Sequence, residues 1–209
     1  MIKSLRALLI VVAASVPLLA FGGDAEAKGK GSGKGAPASV DAKFNRWLVT
    51  PQGKIGGILL DNGGVLRMHA DSVRDTSLKA GDSLHVDGKS KGNSVFMHVK
   101  VTKGTVVVVD DTAPHAKGQK GANKGSAKLS DMTASSKVQT LLSGPKGKTH
   151  AVILDDGTIA YAPHHGDLSS FSLKKGDAVT VTGKGGNYTL GRAMVITTIK
   201  LPSGDVKTL

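Results

Sequence analysis

The stretch Pro51-Gln52-Gly53-Lys54-Ile55-Gly56-Gly57-Ile58-Leu59-Leu60-Asp61-Asn62-Gly63-Gly64 returns 94 positions later as Pro145-Lys146-Gly147-Lys148-Thr149-His150-Ala151-Val152-Ile153-Leu154-Asp155-Asp156-Gly157-Thr158. Pro51, Gly53, Lys54, Leu60, Asp61 and Gly63 stand against Pro145, Gly147, Lys148, Leu154, Asp155 and Gly157. Pro and Gly mark a turn, the apolar run that follows a strand, and Asn62-Gly63 the positive φ angles of a two-residue hairpin turn. Two copies of one hairpin imply two copies of one small domain. A period of about 95 residues is too long for a solenoid unit and right for a compact domain.

Working outward, the first copy reads as five strands from Lys43 to Asp110. A strand ends at Pro51, and Lys54–Asp61 is the second, where Gly56-Gly57 suggests a bulge. Val65–Ala70 is the third, with Leu66 and Met68 alternating with Arg67 and His69. Asp71–Leu78 does not alternate and suits one or two helical turns. Ser83–Asp87 is the fourth strand, and Val95–Asp110 reads as one long fifth strand. The second copy follows in register: strands at Val138–Ser143, Thr149–Asp155, Thr158–Ala162 and Leu190–Ile199, with an offset of 95 after Pro163 that sets Leu78, Gly81, Asp82, Val86 and Gly88 against Leu173, Gly176, Asp177, Val181 and Gly183.

Strand order, with the only helical candidate between strands three and four, resembles an OB-fold, a partly open five-stranded barrel. The Asp-x-Gly hairpin followed by Leu78-Lys79-Ala80-Gly81-Asp82, or Leu173-Lys174-Lys175-Gly176-Asp177, is similar to exported bacterial OB-like domains of unassigned function. The resemblance covers Lys43–Asp110 and Lys137–Ile199, and its motifs are structural, so it implies no catalytic residue. A small SH3-like barrel is the competing architecture. The expected fold class is therefore all-β, with two tandem OB-like barrels at 43–110 and 137–201, a flexible Gly/Lys/Ala linker at 111–136 and a tail at 202–209.

Residues 1–27 are expected to be a signal peptide: Lys3 and Arg6 precede the apolar run Leu8–Ala20, and Ala25-Glu26-Ala27 has the small-x-small form of a cleavage site. The run is broken by Ser15 and Pro17 and is short for a span of about 20 residues. No Cys follows it, which excludes a lipid anchor on cysteine. Residues 28–42 read as a disordered N-terminus. Processing after Ala27 removes two positive and two negative charges, so the mature chain keeps the net +12 of the whole sequence. With no Cys, the domains have neither disulfides nor thiolate metal sites. The positive charge predicts attraction to nucleic acid, lipid head groups, lipopolysaccharide, acidic glycans or an acidic protein partner.

OB-folds bind through the face of strands 2 and 3 and through the loops joining strands 1–2 and 4–5. In the first copy those places hold Lys54, Arg67, His69, Lys89 and Lys91. In the second they hold Lys146, Lys148, Tyr161, His164, Lys184 and Tyr188. They offer two surfaces for an anion; the plainer reading is that loops are exposed and lysine is this chain's common exposed residue. Nucleic acid is disfavoured, since single-strand binders stack bases on aromatic platforms and only 3% of this chain is aromatic.

Seven histidines raise a metal reading, centred on the adjacent His164 and His165 near His150, because imidazole suits Zn, Cu and Ni. Adjacent residues of a strand point to opposite faces, and neither a His-x3-His helix spacing nor an HExxH motif occurs. Enzyme chemistry has least support: Asp61 and Asp155-Asp156 are explained as turn residues, and there is neither a Gly-x-Ser-x-Gly elbow nor a P-loop. The expected function is a non-catalytic exported module without cofactor, binding an anionic envelope polymer or protein. The alternatives are a His-based metal or stress-related periplasmic protein and a nucleic-acid-binding OB-fold.

Overall fold

A computed structural model describes residues 35–91, 95–113, 128–144, 147–163 and 166–209, all within one compact unit, Gly33–Leu209. The expected signal peptide at 1–27 lies outside the described residues, as do the start of the expected disordered N-terminus and most of the expected linker.

The first barrel contains β1 (Ala36–Val49), β2 (Ile55–Leu60), β3 (Val65–Arg67), a 3₁₀ turn at Ala70–Ser72, β4 (Ser83–Ser90), β5 (Val95–Lys103) and β6 (Val106–Asp110). The long β1 serves two neighbours. Its first half, Ala36–Lys43, pairs antiparallel with β4, and its second half, Phe44–Val49, pairs with β2. β2 pairs with β3, β4 with β5, and β3 meets β5 in parallel through Val65↔Val95 and Leu66↔Phe96. That last pairing closes a ring in the order β1-β2-β3-β5-β4.

The second barrel repeats it with β7 (Ser130–Ser143), β8 (Thr149–Leu154), β9 (Thr158–Tyr161), a 3₁₀ turn at Leu168–Phe171, β10 (Ala178–Tyr188), β11 (Gly191–Lys200) and a short β12 (Val206–Thr208). Here β9 and β11 make the parallel closure. The chain is thus all-β, with two tandem closed five-stranded barrels of the OB-like order. Among the described residues no helix is long and apolar enough to cross a membrane.

Alternation fills the barrels. Ile58, Leu60, Leu66, Leu84, Val86, Val99 and Val101 point into the first, around Phe44 and Trp47, whose rings meet edge to face at 5.4 Å. Val152, Leu154, Ala160, Val181, Met194 and Ile196 fill the second.

Several boundaries differ from the sequence expectation. β1 starts at Ala36 rather than near Lys43, and β7 at Ser130 rather than Val138, so residues 130–136 are strand, not linker. In both places the early residues are mostly small, with Val40 and Met132 the large apolar ones, and they pair along β4 and β10. The long strand expected at Val95–Asp110 is two strands, because Gly104 turns the chain with φ +58°.

The β2–β3 turn holds three residues, not two. Gly63 N–H donates to Leu60 O (3.1 Å), and Leu60 N–H to Gly64 O (2.8 Å). Gly63 alone of the turn has positive φ, +82°, and Gly157 matches it at +85°. This is a type I turn closed by a left-handed glycine. Asn62 keeps an ordinary backbone and accepts Gly64 N–H on Oδ1 at 2.9 Å.

Candidate functional site

The sheet faces that OB-like barrels offer to ligands are turned toward each other. Leu48, Val49, Leu59 and Val65 of the first barrel join Leu142, Ala151, Ile153, Ile159 and Ala193 of the second in one buried cluster. Leu48, Leu59 and Val65 are the repeat equivalents of Leu142, Ile153 and Ile159. Each copy therefore buries the same patch, as in an isologous dimer, but within one chain.

Three sequence-predicted residues belong to this contact. Tyr161 Oη donates to Val49 O at 3.0 Å, and burial pushes the Tyr161 hydroxyl up to about 12. Tyr188 Oη donates to Pro51 O. Arg67 donates from Nη2 to Nε2 of His150 at 2.9 Å. Guanidinium carries no acceptor, so that ring is neutral. Burial, then the Arg67 charge, lowers His150 to about 4, and burial lowers Arg67 as well.

The other candidates sit elsewhere. Lys54 is half-buried just after the first turn. Lys89 and Lys184 are exposed at equivalent positions of β4 and β10, with Lys91 half-buried beyond. Exposed Lys148 lies 3.8 Å from Asp167. The exposed His69 ring is held through Nδ1 by buried Asp111 (2.9 Å), which also accepts from His69 N–H and Ser72 Oγ. Burial alone would raise the Asp111 carboxyl, but these donors outweigh it and hold it below its usual range. Lys146, His164 and His165 lie outside the described residues. Among the described residues no three His, Cys, Asp or Glu side chains converge on a metal-sized centre.

At one rim of the barrel–barrel contact a cleft of about 510 Å³ opens. Arg46 and Trp47 of β1, Asp156-Gly157 of the β8–β9 turn, and Asn187, Tyr188 and Arg192 of the β10–β11 hairpin line it. Arg46 Nη1 lies 3.4 Å from Gly157 O, and Arg192 Nη1 lies 3.6 Å from Asp156 Oδ2. Two guanidinium groups, one from each barrel, thus flank a single turn. Of this group, Tyr188 alone is among the binding residues expected from the sequence. Arg46 belongs to the first strand of one copy and Arg192 to the fifth strand of the other, and only the packing of the barrels brings them together.

Neither models of known protein families nor curated proteins give a match to this chain.

Proposed function

We propose that the protein is an exported, non-catalytic binding module that meets an anionic partner, an envelope polymer or an acidic protein surface. One observation carries this reading. Lys89 and Lys184 stand exposed at equivalent positions of the two barrels, and among the described residues no carboxylate lies within ion-pair distance of either, nor of Lys54 or Lys91. With a net charge of +12, exposed lysines held in no close ion pair contribute to a field that draws polyanions to the surface. Two basic stations on one body also raise avidity for a long ligand.

The test is titration of the chain with a heparin-like polyanion and with lipopolysaccharide. Affinity should fall steeply as salt rises, because charges beyond about 10 Å are screened at 0.1 M. Combined replacement of Lys89, Lys91 and Lys184 by Gln should weaken it further. Binding indifferent to both salt and these lysines would remove the proposal.

A further inference from the structure

We infer that the cleft between the barrels is a discrete site for one oxyanion, a carboxylate or a phosphate, carried on a small hydroxyl-bearing ligand, and that the molecule has one such site rather than two. The ligand class rests on the anion-binding reading above; the site does not use the exposed lysines.

Its donors are under-used. Arg46 Nε and Arg192 Nε are buried without a hydrogen-bond partner, and both residues line this cleft. Buried donors in folded chains are nearly always paired. Arg46 bonds the protein through Nη1 to Gly157 O and Arg192 through Nη2 to Thr133 O, so both guanidiniums keep donor capacity that an acceptor-rich group at their tips would use.

The local carboxylate does not close it. Asp156 already accepts Thr158 N–H at 2.9 Å and Thr158 Oγ1–H at 3.0 Å. Its 3.6 Å separation from Arg192 is long beside the roughly 2.7–2.9 Å of a charge-assisted hydrogen bond. Arg192 otherwise donates from Nη2 to Thr133 O at 2.8 Å. Two guanidiniums against one occupied carboxylate leave the cleft cationic. Planar guanidinium matches carboxylate and phosphate oxygens, the amides of Asn45 and Asn187 suit hydroxyls, and Ile159, Leu190 and the Tyr188 ring give an apolar side. About 510 Å³ is in the range of small-ligand sites.

The repeat shows why there is one site. Arg46 corresponds to Thr140 by the spacing of the copies. Strand register sets Thr158↔Arg192 in the second barrel and Val65↔Val95 in the first, so Arg192 corresponds to Ser94, which lies outside the described residues. Both arginines are hydroxyl residues in the other copy.

The experiment is calorimetric titration of the full chain with galacturonate, with glucose 6-phosphate and with neutral maltotriose. Saturable uptake of one anion per chain, and none of maltotriose, is expected; the two anionic arms tell carboxylate from phosphate. Arg46→Gln and Arg192→Gln should each weaken binding by about tenfold to a hundredfold. Asn187→Asp, an exposed change that leaves the buried groups in place, should weaken it too. The Lys89/Lys91/Lys184 variant should retain it. Failure of both anions to saturate, two sites per chain, or unchanged affinity in both Arg192→Gln and Asn187→Asp would overturn the inference. Loss of polyanion binding with short-anion binding intact would remove only the broader proposal.

Discussion

At Arg67 a permanent positive charge meets a histidine instead of a carboxylate. His150 can accept from it only while neutral, and burial between the barrels together with the guanidinium lowers the imidazole to about 4 from its ordinary 6.5. The consequence for stability has a definite sign. Below about 6.5 the unfolded chain takes up a proton on His150 while the folded chain resists until about 4, so the contribution is complete above that window and is lost as pH falls through it. Urea midpoints measured at intervals from pH 7 to pH 4 should decline across the window. The decline should be shallower in His150→Gln, and a variant with the same slope as the parent would show that the imidazole is not the titrating group.

Among the elements, the β10–β11 hairpin sets the two barrels apart from a simple duplication. It brings Tyr188 onto the Pro51–Gly53 turn, where the ring lies so close that a Cβ on Gly53 would stand 2.6 Å from two ring carbons. Gly53 also has φ +79°, whereas Gly81 has φ +93° with open space around it. Gly81→Ala should therefore cost only the left-handed backbone term of about 1–2 kcal/mol, and Gly53→Ala distinctly more in the same urea assay. Equal costs would mean that the hairpin does not press on the turn. Tyr188→Phe, which keeps the ring and loses the bond to Pro51 O, should cost about 1 kcal/mol. The hairpins themselves were legible in the chain: Leu60-Asp61-Asn62-Gly63 and its repeat name their turns, and the alternation of Leu66 and Met68 with Arg67 and His69 names an inward face. The start of β1 was not legible, because Ala36, Pro37 and Ala38 carry no apolar signal and are ordered by pairing with β4. Arg46 and Arg192 were not legible as a site, because nothing within either copy says which outer face the other copy covers.

For the whole molecule, duplication has made a pseudo-dimer in one chain. Leu48, Leu59 and Val65 and their equivalents Leu142, Ile153 and Ile159 are apolar on the outward side of strands whose inward side is already a core. Removing a large aliphatic side chain from water is worth about 1.5–3 kcal/mol, and this third cluster is expected to hold the barrels together without help from the connecting segment. With the sheet faces covered, the exposed Lys89 and Lys184 and the rim cleft with its two arginines remain open to solvent. The direct test introduces a protease site between residues 114 and 127, cuts the folded chain there and passes it through a native gel-filtration column. The two fragments should elute together at the volume of the uncut protein and separate only in denaturant; two independently eluting barrels under native conditions would contradict the account.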